Sequence, residues 1–189
     1  MILKHIPNAL TVTRLVLIVP FLVFLYQHKY THAFYIFLLA GFTDGLDGWL
    51  ARYFRWQSSF GLFLDPLADK LLIASSFIAL ALSGKLPWWL VILVFSRDIT
   101  ISIGVVCWYW FIRREPQFHP SYLSKVNTVL QLTLVTVCLF EQAFPQFSSN
   151  LIHITQTILV LTTLTTAGSF VDYVWTWGKK ACATANQAR

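Results

Sequence analysis

Charge is what this sequence has least of. Asp, Glu, Lys and Arg make up 12% of its 189 residues, against about 25% in soluble domains. With 57% hydrophobic residues and a mean hydropathy of +0.63, the chain reads as a membrane protein. Its length suits one compact membrane domain over residues 1–189. Cysteine is nearly absent: Cys107, Cys138 and Cys182 are widely spaced and form neither a metal-ligand pattern nor a disulfide framework. Acidic residues number 8 against 14 Lys and Arg, for a net charge of +6. In such a chain the excess reads as topology and attraction to anionic lipid. No basic run is interleaved with exposed aromatics, so nucleic acid is not an expected partner. Internal repeats and low-complexity tracts are absent. There is no long apolar core before Arg14 and no small-residue cleavage site after the first apolar segment, so that segment is expected to be retained.

What is abundant is apolar sequence in long segments. Ile6-Pro7-Asn8 reads as a turn, with Asn8 or Thr11 as a helix cap. Apolar spans follow over about 10–26, 33–53, 60–82, 87–112, 126–140 and 151–175, separated by polar connections at 27–32, 55–59, 83–85, 113–125 and 141–150. Pro66 is expected in the first turn of the third span, where its missing N–H matters least. Several spans are near the ~20 residues needed to cross a bilayer. The expected fold is all-α: a polytopic membrane protein with six transmembrane helices in one bundle. Six spans put both termini on one side. That side carries ten Lys and Arg residues from Lys4 to Arg189, against Lys29 and Lys85 on the other. The imbalance places both termini on the cytoplasmic face of a bacterial inner membrane, or the matrix face in a mitochondrion.

Half of the scarce acids are concentrated in one window. Residues 44–70 read DGLDGWLARYFRWQSSFGLFLDPLADK and hold Asp44, Asp47, Asp65 and Asp69. The first pair is spaced i, i+3 and the second i, i+4, so each pair shares a helix face. Two such helices facing each other would converge four carboxylates, which repel strongly in a low-dielectric site. Divalent cations relieve that repulsion, and hard oxygen donors suit Mg²⁺, Mn²⁺ or Ca²⁺. Gly48 and Gly61 leave room for a close ligand. Arg52, one turn beyond Gly48, is able to meet phosphate. Metal, arginine and space together point to a phosphorylated substrate.

The string Asp44-x-x-Asp47-Gly48-x-x-Ala51-Arg52, eight further residues, and Gly61-x-x-x-Asp65-x-x-x-Asp69 resembles the signature of the CDP-alcohol phosphatidyltransferases. The resemblance implies transfer of a phosphatidyl group from CDP-diacylglycerol to an anionic glycerol-type alcohol, with release of CMP. It implies Mg²⁺ or Mn²⁺, as a pair of ions, held by Asp44, Asp47 and Asp65. Asp69 would be the catalytic base with a metal role as well. Gly48, Ala51, Arg52 and Gly61 match positions associated with CDP. Thr43 and Asn8 are further nucleotide candidates, although Thr43 can instead bond its own helix. Asn8 and Arg14 resemble an Asn-x-Leu-Thr-x-x-Arg opening; their plainer reading is a helix cap and an interfacial snorkelling side chain. Lys70 reads as charge balance. Membrane lipids are expected partners; the sequence leaves the oligomeric state open, a homodimer included.

The acceptor side rests on weaker signals. Arg97-Asp98 is either a structural ion pair or a ligand site. Arg113, Arg114, His119 and Lys125 are either topology residues or a basic pocket for the acceptor's phosphate. Ser96-Arg97-Asp98, Ser124-Lys125-Val126-Asn127-Thr128, Leu164-Thr165-Thr166-Ala167 and Gly178-Lys179-Lys180 resemble the CMP-forming cardiolipin synthases. Phosphatidylglycerophosphate synthases are similar too, but usually carry Lys where this chain has Asn127. One positive charge fewer leans toward phosphatidylglycerol, a phosphodiester, and away from glycerol 3-phosphate, a phosphomonoester. A cation-coupled transporter with an intramembrane acidic site is the rival from another class, and the lack of repeats weighs against it.

Overall fold

The computed structural model describes residues 6–54, 59–112 and 122–187; within these, the side chains at 6–11, 44, 46–54, 59–67, 105–112, 148–150 and 176–187 lie outside the described set. The described residues form α1 (Ile6–Tyr26), α2 (Tyr30–Phe54), α3 (Ser59–Leu82), α4 (Trp88–Ile112), α5 (Tyr122–Ala143) and α6 (Ser148–Gln187), with a 3-10 turn at Pro145–Phe147. No strand occurs among them. The all-α expectation holds, and each helix covers one of the apolar spans.

The differences are at the ends. α1 begins at Ile6, so Asn8 and Thr11 lie inside the helix and neither is its cap. Pro66 is well inside α3, which starts at Ser59, and not in its first turn. The polar stretch 27–32 is shorter as a connection than expected, because α2 already starts at Tyr30. The last helix runs for 40 residues, well beyond Trp175.

Two of the connections are closed by the same cap. At the end of α1 the Lys29 amide donates to the Phe24 carbonyl and the His28 amide to Leu25. At the end of α3 the Lys85 amide donates to Leu80 and the Gly84 amide to Ala81. Both are Schellman caps, which need a left-handed residue just past the helix. Gly84 fills that place with φ +69°, and His28 does so with φ 57° despite its Cβ.

The chain divides into two compact units, Met1–Leu86 with Leu134–Thr155, and Pro87–Thr133 with Gln156–Arg189. In the first, α1 packs on both α2 and α3. Its interior is aromatic and aliphatic: Phe21, Phe34, Phe37, Phe77, Leu80, Leu134 and Leu139 are buried. Phe21 lies 5.8 Å from Phe37, and Phe34 lies 5.6 Å from Phe140, in the edge-on or tilted arrangements aromatic pairs prefer. The second unit is built differently. Leu90, Val91 and Val94 are buried there, but so are Arg97, Asn127, Gln131, Thr162, Thr166 and Ser169.

The outward faces reverse the usual pattern of soluble proteins. Val12, Val16 and Val19 of α1, Leu38, Leu39 and Phe42 of α2, Ile92, Ile99 and Ile103 of α4, and Val160, Leu164 and Val171 of α6 are all exposed. Among the described residues, Tyr122–Ala143 and Leu151–Trp175 are long and apolar enough to cross a membrane, and Val12–Tyr26 is a shorter apolar helix.

Candidate active site

The backbone puts the four aspartates on two helices that both pack against α1. Asp44 and Asp47 are on α2, one turn apart, and Asp65 and Asp69 are on α3, also one turn apart. The side chains of Asp44, Asp47, Gly48, Ala51, Arg52, Gly61, Asp65 and Asn8 lie outside the described residues. The backbone at each of these positions is helical. Asp69 is described in full. Its side chain is 43% exposed, and its Oδ1 accepts a hydrogen bond from Arg14 Nη1 at 2.5 Å. Arg14 reaches across from α1 and is fully buried. A snorkelling arginine would keep its head in water, so that reading of Arg14 is replaced by an ion pair buried on the arginine's side and partly exposed on the aspartate's.

Aspartate oxygens are the hard donors a divalent cation takes, but with three of the four side chains outside the described residues, no group of three or more His, Cys, Asp or Glu able to hold a metal is found among those described. The Asp69 side chain keeps 43% of its surface exposed with Oδ1 engaged. Lys70 is exposed. The hydroxyl of Thr43 donates to the Ala40 carbonyl of its own helix at 2.8 Å, the plainer of its two readings.

In the second unit, Arg97 is a clamp. Its Nη1 donates to Asp98 at 2.6 Å, its Nη2 to Ser124 at 2.5 Å and to Ser169 at 3.0 Å, and its Nε to Ser169 at 3.3 Å. One guanidinium thereby ties α4 to both α5 and α6. Asn127, three residues after Ser124, is fully buried, and its Oδ1 lies 2.7 Å from the Thr166 hydroxyl and 3.0 Å from that of Thr165. Those two hydroxyls also lie within reach of the Thr162 and Leu161 carbonyls of their own helix. The Asn127 and Gln131 amide nitrogens have no hydrogen-bond partner among the described residues. Exchanging the oxygen and nitrogen of Asn127 would let its amide donate to both threonines while they donate to their own helix. Lys125 is exposed, and Arg113, Arg114 and His119 lie outside the described residues.

Sequence reasoning picked out Arg97, Ser124, Asn127, Thr165 and Thr166 but not Gln131, Thr162 or Ser169. A signal for them exists. Ser124, Asn127 and Gln131 on α5, and Thr162, Thr166 and Ser169 on α6, each recur at three- and four-residue steps, a polar stripe on an otherwise apolar helix.

Comparison with known proteins bears on the whole arrangement. The profile of the family described as CDP-alcohol phosphatidyltransferase matches residues 4–168. A probable phosphatidylglycerophosphate synthase of Mycobacterium tuberculosis is 33% identical over 178 residues, 91% of this chain and 81% of that protein. A probable CMP-forming cardiolipin synthase of Drosophila melanogaster is 36% identical over 189 aligned residues, 89% of this chain and 56% of that protein. The CDP-diacylglycerol–glycerol-3-phosphate 3-phosphatidyltransferase of Aquifex aeolicus is 30% identical, over 89% of this chain and 93% of its own length. With the profile running from the first helix into the last, and the paired aspartates on consecutive helices, the chain belongs to the CDP-alcohol phosphatidyltransferase family and is a phospholipid-biosynthetic transferase of substituted phosphate groups.

Proposed function

We propose that this enzyme transfers a phosphatidyl group from CDP-diacylglycerol to a free hydroxyl of phosphatidylglycerol, giving cardiolipin and CMP. Asp44, Asp47 and Asp65 would hold a pair of Mg²⁺ or Mn²⁺ ions, with Asp69 beside them. Bound ions would supply neutralisation of the pyrophosphate charge and stabilise the leaving CMP. Asp69 takes the proton of the acceptor hydroxyl as that oxygen attacks the diacylglycerol-linked phosphorus. The bond from that phosphorus to the CMP oxygen breaks. Gly48, Ala51 and Gly61 leave room for the cytidine, and Arg52 meets a phosphate oxygen. The apolar outer faces of the helices support a membrane-embedded bundle, with lipid substrates entering sideways.

One observation carries the choice of acceptor. Among the described residues of the second unit, the buried cation Arg97 is already paired with Asp98, and position 127 holds a neutral amide. That balance suits the single charge of a phosphodiester better than the nearly double charge of a phosphomonoester. A second reading, with glycerol 3-phosphate as acceptor and phosphatidylglycerophosphate as product, is favoured by the names of the mycobacterial and Aquifex relatives. The test is purified protein with CDP-diacylglycerol and Mg²⁺, offered each acceptor in a separate reaction, with the lipid products identified. Cardiolipin from phosphatidylglycerol is the expected product. Phosphatidylglycerophosphate alone would install the second reading, and full turnover in chelator would remove the metal ions from the scheme.

A further inference from the structure

The connection between α1 and α2 carries a basic cluster with no acid to balance it. No acid occurs in the chain before Asp44. His28, Lys29 and His32 are exposed, and none is paired with a carboxylate among the described residues. Glu141, near the Ala143 carbonyl that receives the Thr31 hydroxyl, has its Oε1 held by Thr155. One ring organises two of the three basic groups. Lys29 Nζ lies 6.0 Å from the centre of Phe24, and the His32 imidazole stacks on the same ring at 5.3 Å. The third is strained. His28 takes the left-handed place in the cap of α1 with φ 57°, where the equivalent cap of α3 uses Gly84. A Cβ is disfavoured in that region, and strain of this kind collects at binding sites. Its Nδ1 lies 2.8 Å from the Tyr30 hydroxyl. With that hydroxyl donating to Nδ1, the Nε2–H of His28 is left as a donor.

On α1, Val16, Val19 and Val23 are 62%, 63% and 46% exposed and recur at three- and four-residue steps along one face, which ends at Tyr26, 87% exposed. An apolar stripe leading to a tyrosine and then to basic heads has the order of a phospholipid: acyl chain, interface, phosphate. We propose that the α1–α2 turn is a binding site for an anionic phospholipid. His28, Lys29 and His32 hold its phosphate, and an acyl chain lies along the valine face of α1. Charge complementarity selects an anionic headgroup, because the turn supplies no carboxylate for a choline or ethanolamine cation. The site is at the opposite end of α2 from its aspartates, with His32 and Asp44 separated by about 18 Å of helix. This lipid is therefore distinct from those that react. The inference rests on the membrane-embedded reading of the helices.

The test uses the full chain in detergent and dioleoyl phosphatidylmethanol, an anionic phosphodiester lipid without a hydroxyl to accept the transfer. Binding is titrated by native mass spectrometry. Lys29→Gln combined with His32→Gln is expected to weaken one binding step about tenfold or more. Phosphatidylcholine should bind weakly to wild type and variant alike. Lys85→Gln, which removes an exposed charge at the Gly84 turn, should leave binding unchanged. His28→Gly should weaken lipid binding while its thermal midpoint equals or exceeds that of wild type, because the cap is relieved. A residue kept only for the fold would not give that split. Equal affinity in wild type and the double variant overturns the proposal, as does equal binding of phosphatidylcholine or an equal loss in Lys85→Gln. Displacement of the lipid by inorganic phosphate would make the turn a site for soluble anions. A disulfide-linked dimer through Val19→Cys, in a chain without its own cysteines, would give the valine face to a second copy. Either result also overturns it. Turnover does not enter these measurements, so a wrong acceptor assignment leaves them standing. Release of the protein by an alkaline carbonate wash would instead remove the membrane reading beneath the proposal.

Discussion

At the scale of single residues, Asp69 and Asn127 lead to opposite expectations. Asp69 is half-open and tethered at one oxygen. Asp69→Asn keeps the shape and loses the proton acceptor, so kcat should fall by about 10²-fold or more while CDP-diacylglycerol binding survives. Separate measurement of binding and single-turnover rate checks this. Asn127 is sealed, with Thr165 and Thr166 at its amide and one polar atom without a partner. Asn127→Leu removes that imperfectly satisfied group and should be near neutral for stability. Asn127→Lys would carry an ammonium into the same space and should lower stability by at least the ~1–3 kcal/mol of an unsatisfied buried polar group. Thermal unfolding of both variants in one detergent distinguishes these outcomes. The motif comparison identified position 127 as different in charge, but the seating of its side chain depends on α6, nearly forty residues away, and no local pattern carries that.

Helices were the most legible elements. A long apolar run bounded by polar connections can only be satisfied by a helix if it is to sit in lipid, since each backbone group must bond within its own segment. That is why Ser83-Gly84-Lys85 was readable as a turn. Ends governed by backbone bonding alone were less legible. Nothing in the hydrophobic pattern distinguishes a start at Ile6 from one near Leu10, or shows that α6 continues to Gln187. Asp69 was readable as a site residue from its spacing, but its pairing with Arg14 was not, because it depends on how α1 meets α3.

Two glycines give predictions at this scale. Gly84→Ala forces a Cβ into a left-handed position, so the cap of α3 should weaken by about 1 kcal/mol. Gly104 on α4 faces Tyr173 on α6, whose hydroxyl donates to the Ile101 carbonyl at 3.1 Å. A Cβ at 104 would overlap that hydroxyl. Gly104→Ala should therefore destabilise the protein through loss of this contact, and adding Tyr173→Phe should restore part of the loss. Thermal unfolding of the single and double variants measures the coupling.

For the whole molecule, the composition already announced an apolar exterior, and the exposed valines, leucines and isoleucines of α1, α2, α4 and α6 bear it out. The protein is expected to remain in the membrane fraction after an alkaline carbonate wash and to need detergent for extraction. The charge imbalance between connections makes a sharper prediction. Single cysteines at positions 29 and 85, in a chain with its own three cysteines removed, should react with a membrane-impermeant reagent from outside the cell. A cysteine at position 125 should react only after the membrane is opened.

The polar stripe within the second unit also has a bearing on assembly. Greasy surfaces slide over one another with little preference, because one apolar contact replaces another. Arg97 with Ser124 and Ser169, and Asn127 with Thr165 and Thr166, break that indifference. A slip of α6 along α5 by one helical turn, ~5.4 Å, would part Arg97 from Ser169 and Asn127 from Thr165 and Thr166. The stripe therefore acts as a vernier: it lets the helices find one another through non-specific contact and accepts a single axial alignment.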